Sequence, residues 1–587
     1  MDYSVRWPNW RTYWLIDKNP PKTRRVLFFL IETMSRIFLL GAFALIPLSI
    51  GTQAQAQTNT TLPKIQGAAA ASPLVDQNVI VAGTVTAMFP QLRGFYIQDP
   101  KGDGDDKTSD GAFVYLANKG FEGWPTFKVG DAVTVTGRVQ EFHDQTQISN
   151  LTALTVQGQG GAVTPVEITF PLPIAEREKY EGMLVKVTTQ LSVTDNYPLR
   201  RYGSLSLSSG GRIFVPSNQP TPDADSDARK LVLDDASNKQ NPQPIPYLDN
   251  TGTRRAGSTV TNLTGILAFD FDEYRLFPTG PIEFEDANPR PATAPTVGGN
   301  VKIASANLHN YWTTFKSDAN PDARGASTPA EFESQSAKIV TELKGLDADA
   351  VALMELENNG DGAIDDLVTR LNKAYGAAEY AKAPAPANGF GTDKIRVGFI
   401  YKPARVKLVG ASQSAADTIF ERLPVAQTFA FGKTNFTLVA NHWKSKGSAP
   451  ETGDVDMGQG AWNKKRVQQA QATLKFVQTL NQPNVMLVGD FNAYSEEDPL
   501  KALRAAGMKQ LNLRLKPEER YSFGFGGKFG SLDHAFASDA MDKLVSGFAE
   551  WHINSDEPEF ELEQSKGTPF RASDHDPFLV GLNLPAN

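Results

Sequence analysis

Cysteine is missing from the chain altogether, so disulfides and thiolate metal sites are excluded and stability has to come from packing. Any bound metal is left with oxygen and imidazole donors. An excess of basic charge is missing too: 58 lysines and arginines face 66 aspartates and glutamates, a formal net charge of −8. A protein coated for nonspecific DNA binding shows the opposite balance. A polyanionic substrate therefore has to be held by local basic groups and metal ions. Beyond the N-terminal region there is no apolar run of about 20 residues, the length of a membrane span. What is present is an ordinary globular composition, 40% hydrophobic and 21% charged, which argues against general disorder. The length allows several domains, each with its own core.

The first 56 residues read as a targeting segment. Met34-Ser35-Arg36 precedes the apolar run 37–48, and Ala54-Gln55-Ala56 follows. That is the order of charged region, apolar core and A-x-A cleavage site in a secretory signal. Residues 1–33, rich in Trp and Arg, are long for a charged leader, and Met34 is read as the true start. An uncleaved anchor is the rival reading; Pro47 and the short apolar core count against it. The expected mature protein begins near Gln57 after cleavage near Ala56. It is expected to be secreted (extracellular, periplasmic or at the cell surface), without integral membrane association.

A polar, Ala-rich spacer, 57–73, leads to β-like runs at 79–86, 94–98, 112–116, 131–139 and 146–148. Alternation at this spacing, with glycine where a barrel must bend, predicts a small closed barrel of the OB-fold kind over 74–160. Phe95, Phe113, Tyr115 and Phe142 are either stacking platforms for bases or, the commoner case, core. The loop from Asp99 to Asp110 starts like a calcium loop. Lys107 stands where a ligand is needed and no closing Glu follows, so a solvated hairpin loop is expected. Residues 161–287 form a second β-rich region, with strands at 183–187 and 263–267. Its Pro/Asp/Asn-rich excursion, 216–257, is expected to wrap the surface as irregular loop. Residues 288–299, with closely spaced prolines, read as a stiff linker.

From Val301 strands alternate with amphipathic helices, which makes 300–587 one large α/β domain. Thr328-Pro329-Ala330-Glu331 is a capping box with Pro at the first helical position. Phe332, Ser336, Val340 and Leu343 then share one helical face, with Gly345 as the stop. A strand is expected at 350–354. A second helix runs through Ile364, Leu367, Val368 and Leu371 to Gly376, and a third from about Trp462 to Leu480.

Val485-Met486-Leu487-Val488 is an unbroken β-prone run, as in a strand buried on both faces. Gly489, Asp490 and Asn492 follow it. On extended backbone Asp490 and Asn492 point to the same side. There a carboxylate can orient and partly deprotonate a water while an amide holds the oxyanion. An Asx-turn is the plainer reading of a lone G-D-x-N. Similar polar groups end other strands: Asn307; Glu355 and Glu357; Asn441 to Lys444; Ser531 to His534; Ser573 to Asp576. Four of the six histidines, His309, His442, His534 and His575, fall among them, the distribution expected of an active-site rim. Glu355, Asp490 and Asp574 are anionic near neutral pH, and oxygen-rich ligation suits Mg²⁺, Mn²⁺ or Ca²⁺ better than zinc. Lys444, Lys446, Lys464, Lys465 and Arg466 flank the third helix; of these Lys444 and Arg466 are the candidates for phosphate or DNA contact.

The series Asn307, Leu353-Met354-Glu355-Leu356-Glu357, Asn441-His442, Gly489-Asp490-Phe491-Asn492, Ser531-Leu532-Asp533-His534 and Ser573-Asp574-His575 resembles the endonuclease/exonuclease/phosphatase superfamily typified by DNase I. The motifs span about residues 300–583. With the signal and the G-F-Y-I-Q-D-P and T-S-D-G runs of the β module, the arrangement is similar to secreted bacterial nucleases of the ExeM/NucH type. The resemblance implies N-terminal all-β OB-like modules followed by a C-terminal four-layer α/β sandwich, with the site at one edge of two packed sheets. It implies that Glu355 is the principal metal ligand, helped by Asn307 and Asp574. His575 is implied as general base or phosphate-binding group, with Asp533 fixing its tautomer. His442 is implied as general acid or phosphate grip, supported by Asp393. Asp490 is implied to orient the water or a second metal, and Asn492 to bind the non-bridging oxygen. The implied activity is hydrolysis of phosphodiester bonds in extracellular DNA, or RNA, with Mg²⁺ or Mn²⁺, or Ca²⁺, as cofactor. Nucleic acid is the expected partner, and no obligate protein partner is called for. Phosphomonoesterases and phospholipases share the superfamily core and are the alternative within catalysis; a non-catalytic secreted polymer-binding protein is the alternative outside it.

Overall fold

Long, bent strands close the N-terminal barrel. The structure, a computed structural model, describes residues 57–116, 126–317, 320–564 and 567–585; the expected targeting segment and the choice between Met1 and Met34 lie outside the described residues. Asn78–Phe89 pairs through its first half with Asp131–Phe142 and through its second half with Gly94–Gln98. Gly94–Gln98 pairs onward with Gly111–Tyr115, that strand with Gln145–Gln159 in parallel, and the last with Asp131–Phe142. The ring is complete, so these strands share no free edge. Phe95 lies in its core with Val81, Val114 and Val135. Phe113 is buried against Tyr96 and Phe277, which belongs to the next β region. Of the four aromatics considered for stacking, Phe142 is the exposed one, at 58%.

The expected spacer belongs to this unit. Thr58–Asn59 pairs with Val79 and Ile80, and the helix Leu62–Gln66 buries Leu62 and Ile65 in the barrel core. Two apolar residues three apart in a polar stretch carry too little periodicity to announce so short a helix.

The second β region is a nine-stranded sheet. Lys230–Asp234 lies inside it, between Ser204–Ser209 and Glu273–Pro278, which corrects the expectation of irregular loop over 216–257. Leu231, Val232 and Leu233 are buried there, but Asp-rich flanks mask so short a run in the sequence. Ile213–Phe214 leaves this sheet to pair with Lys528–Gly530 of the C-terminal half. Residues 288–299 are docked rather than free-standing: Arg290 pairs with Glu557, and Val297 is buried.

In the C-terminal half two six-stranded sheets pack face to face. One has Val301–Tyr311 and Ala350–Glu357 at its centre; the other has Thr434–His442 and Val485–Asp490. Ile303, Met354, Phe399, Phe436, Met486 and Val580 are among the side chains that fill the space between them. Pro329–Leu346 and Gly362–Tyr375 cover the outer face of the first sheet through Ile339, Leu343 and Leu367. Asn463–Leu480 and Asp498–Ala505 cover the second through Ala470, Leu500 and Leu503. The result is four layers, helix, sheet, sheet, helix. The first of these helices starts as its sequence predicts, the Thr328 hydroxyl accepting from the Glu331 N–H. Its end is different. Gly345 sits inside the last turn, where a Cβ would come 2.6 Å from the Trp551 ring, and Asp347 in the left-handed region ends the helix. The glycine is there to admit the indole. Among the described residues no helix is long and apolar enough to cross a membrane.

Candidate active site

Parallel pairing brings the ends of Val301–Tyr311 and Ala350–Glu357 together, and likewise those of Thr434–His442 and Val485–Asp490. Antiparallel partners begin at the same edge: Asp533 stands opposite Asp490 in register, and Phe578–Leu582, which follows the Ser573-Asp574-His575 loop, runs against Val301–Tyr311. Strand ends far apart in sequence thus deliver their polar residues to one place.

The backbone is unusual there. Ala350–Glu357 slips register against both neighbours near Glu355, and Glu355 itself has φ +62°, with His309 at +50° and Asn310 at +56° beside it. Left-handed conformations cost non-glycine residues on the order of 1–2 kcal/mol each, and they cluster where geometry serves function. A bulge re-aims a side chain; this one turns Glu355 toward Asn310, whose N–H it accepts at 2.8 Å. Gly489 has φ +126°, and a Cβ there would fall 2.2 Å from the Asn441 carbonyl oxygen. Only glycine lets the Asp490 strand lie so close to its neighbour.

The Asn307 amide donates to Glu355 at 3.3 Å and to Asp490 at 3.4 Å. His442 Nε2 lies 3.4 Å from Asp490 and 3.9 Å from Glu355. Ligand atoms of Asp490, Asp533 and His575 lie within 4.8 Å of one another. His575 Nδ1 is 2.7 Å from Asp533 Oδ2, and His309 Nδ1 is 2.8 Å from Asp574 Oδ1. Asn492 shares the cluster through its backbone N–H to Asp490, with its amide donating to the Trp443 carbonyl at 3.1 Å. Asn307, Glu355, His442, Asp490, Asn492, Asp533, Asp574 and His575 are therefore brought together.

Three expected participants stand elsewhere. Arg466 is fully buried and donates to the backbone carbonyls of Ala461, Gln459 and Lys444. It shapes the loop before the third helix and is not presented to a phosphate, because one guanidinium can close several orphan carbonyls at once. Lys444 is half-buried, its ammonium 5.3 Å above the Trp462 ring. Asp393 pairs with Arg324 and Arg422 and reaches His442 only through Arg422, which donates to the His442 carbonyl at 3.0 Å. His534 faces away, its ring bonded to the Ala493 carbonyl and Gln510; burial pushes it down to about 4. Glu357 holds Thr313, Thr314 and Asn359. His309 received no role from the sequence; its place two residues after Asn307 at a strand end was the available signal.

Electrostatically the histidines differ. Burial works against charge on His575, but Asp533 and Asp574 outweigh it and hold the imidazolium well above its ordinary range. His442, buried and near Arg422 and His575, is held well below and is neutral. Asp574 is driven up by burial but more strongly down by His309 and His575. Burial pushes Asp490 up, against the pull of His575 and with Asp533 adding to the rise. Among the described residues no lysine or arginine is within ion-pair distance of Glu355, Asp490 or Asp574; their close partners are His442 and His309. Three converging carboxylates, Asp490 buried and Glu355 and Asp574 partly so, with only imidazoles among their close charge partners, fit an oxygen-ligated divalent ion.

Residues 304–575 match the profile of the Endonuclease/Exonuclease/phosphatase family. Among curated proteins none matches the chain. Similar solved structures include humanized D. rerio TDP2 carrying 14 mutations: 18% identity, 48% of this chain and 97% of that one, TM-score 0.31. The human Nocturnin catalytic domain with bound sulfate has 17% identity over 49% and 95%, TM-score 0.33. The Bacteroides thetaiotaomicron mannosyl-6-phosphatase has 14% identity over 48% and 100%, TM-score 0.30. Residues 304–575 form a hydrolase domain of the endonuclease/exonuclease/phosphatase family.

Proposed function

We propose that the chain is a secreted, divalent-metal-dependent nuclease that hydrolyses phosphodiester bonds of DNA. The observation that carries the reading is the meeting of Glu355, Asn307, His442 and Asp490 through contacts of 3.3 to 3.4 Å, with the Asp533–His575 pair within 4.8 Å of Asp490. Glu355, Asn307 and Asp574 would hold Mg²⁺ or Mn²⁺, which when bound neutralises the phosphate and favours the charge that develops on its oxygens. His575, kept protonated by Asp533, suits gripping a phosphate oxygen and does not suit the base role. Asp490, whose proton affinity burial raises, is the group suited to take the proton of the attacking water. His442, a neutral imidazole, orients through its ring N–H, and the Asn492 amide keeps one hydrogen for the non-bridging oxygen.

Family members act on phosphomonoesters as well as on nucleic acids, so the substrate class rests on more than the domain. Two features favour a polymer. The preceding barrel has the ring order first, second, third, fifth, fourth, first, the order we read as an OB-type fold, a common holder of single strands. Phe142 stands exposed at a hairpin tip of that barrel. Secretion from near Gln57 goes with DNA outside the cell as substrate. The test is the secreted protein with plasmid DNA, linear DNA, RNA, a sugar phosphate and sphingomyelin, each with magnesium. DNA cleaved fastest supports the proposal; faster release of phosphate from the sugar ester, or of headgroup from the lipid, contradicts it. Mass spectrometry of the same sample should find no peptide from residues 1–33.

A further inference from the structure

The second β region is bonded to the C-terminal domain through buried charge, and the bonds lead to the catalytic pair. Asp556 is fully buried. Its cation partners are Arg212 and Arg255, both from the β region, at 2.8 and 3.2 Å. Glu557 beside it pairs with Arg255 and with Arg290 of the connecting segment. Half of each ion pair therefore belongs to a different part of the chain. Removing Arg212 leaves the buried Asp556 with Arg255 as its one remaining cation, and loss of a partner from a buried ion pair is costly.

From Asp556 the contacts run inward. The Tyr521 hydroxyl donates to Asp556 at 3.0 Å, with the Arg212 guanidinium 4.7 Å above the same ring. The Tyr521 ring also stacks on His552, centroids 3.8 Å apart and planes 6° from parallel. His552 Nδ1 lies 3.0 Å from Asp576, the residue after His575. The residue after Tyr521 completes the path: Ser522 accepts the Asp576 N–H on its carbonyl at 2.7 Å and donates its hydroxyl to Asp533 at 2.7 Å. Asp533, and the backbone next to His575 at Asp576, are thus held from the Tyr521–Ser522 segment, and that segment meets Arg212 through the Tyr521 ring and Asp556.

We propose that Arg212 and Tyr521 are positioning residues for the Asp533–His575 pair, so that the second β region is part of the catalytic unit and not a detachable binding module. A network of this kind fixes geometry only while every member is satisfied, and misplacement of a catalytic group by a fraction of an ångström lowers turnover without touching binding. The activity arm of the test rests on the phosphodiesterase reading; a second arm does not.

The experiment compares the full chain with its Arg212→Gln, Arg212→Lys and Tyr521→Phe variants. Turnover is measured on DNA and on bis(p-nitrophenyl) phosphate, and hydrogen–deuterium exchange is followed by mass spectrometry. For Arg212→Gln we expect kcat to fall about tenfold with KM within about twofold. Arg212→Lys should recover part of the loss, and Tyr521→Phe should lie between. Exchange should quicken in peptides covering 521–534 and 570–577 while the helix Pro329–Leu346 keeps its protection. Unchanged kcat with unchanged local exchange in both Arg212→Gln and Tyr521→Phe overturns the proposal. So does a general rise in exchange with kcat intact per folded molecule, which marks a purely structural bond. A wild-type chain that cleaves neither substrate overturns the phosphodiesterase reading alone, and the exchange arm then decides the coupling.

Discussion

Asp533 Oδ2 lies 2.7 Å from His575 Nδ1, with both side chains buried. A carboxylate on that nitrogen leaves Nε2 as the free face of the ring and keeps its proton in place. The two residues should therefore act as a unit. Asp533→Asn and His575→Ala are each expected to lower kcat by about a hundredfold or more, and the double variant to lose little beyond the worse single one. Losses that simply multiply in the double variant would show the pair to be uncoupled.

Gly489 offers a test of backbone fit at the mouth of the central strand. Gly489→Ala meets both an unfavourable φ of +126° and the Asn441 carbonyl at 2.2 Å. Gly453, at φ +89° with open space around it, meets only the first penalty. Denaturant midpoints should show Gly489→Ala destabilised by about 2–4 kcal/mol and Gly453→Ala by about 1–2 kcal/mol. Equal losses would mean that strand proximity at Asn441 matters little.

Glu342 is buried beside Asn554, which donates to it at 3.0 Å. Burial pushes its carboxyl up to about 8, and the Asn554 bond offsets only part of this. In the unfolded chain a glutamate ionises near ~4.3. Between those values the folded state keeps a proton that the unfolded state has lost, so stability falls as pH rises, by up to ~1.4 kcal/mol per pH unit. Glu342→Gln keeps the bond and removes the slope. Its melting temperature should exceed that of the parent by several degrees at pH 8, and the difference should vanish toward pH 4.5. Parallel melting curves across that range would assign the burial cost elsewhere.

The strand ends were legible because buried strands stop abruptly: an apolar run such as Val485 to Val488 has no polar residue until the site begins. Capping at Thr328 was legible for the same local reason. What escaped was set by tertiary contact. Arg466 reads in sequence as a phosphate contact and is instead wrapped in backbone carbonyls. Gly345 reads as a stop and is instead the seat of Trp551. Leu62 and Ile65 look like part of a linker and instead fill a barrel. The bulge at Glu355 has no sequence mark at all, since nothing in Leu353-Met354-Glu355-Leu356 announces a left-handed glutamate.

Metal-dependent cleavage should depend on the Glu355 carboxylate above all, and one assay tests this. The parent chain and Glu355→Gln, which keeps shape and removes charge, are incubated with supercoiled plasmid in magnesium, with and without excess EDTA. We expect nicking by the parent in magnesium, none in EDTA, and a loss of about a thousandfold or more for Glu355→Gln at ordinary magnesium. Full nicking by Glu355→Gln, or by the parent in excess EDTA, would contradict that dependence.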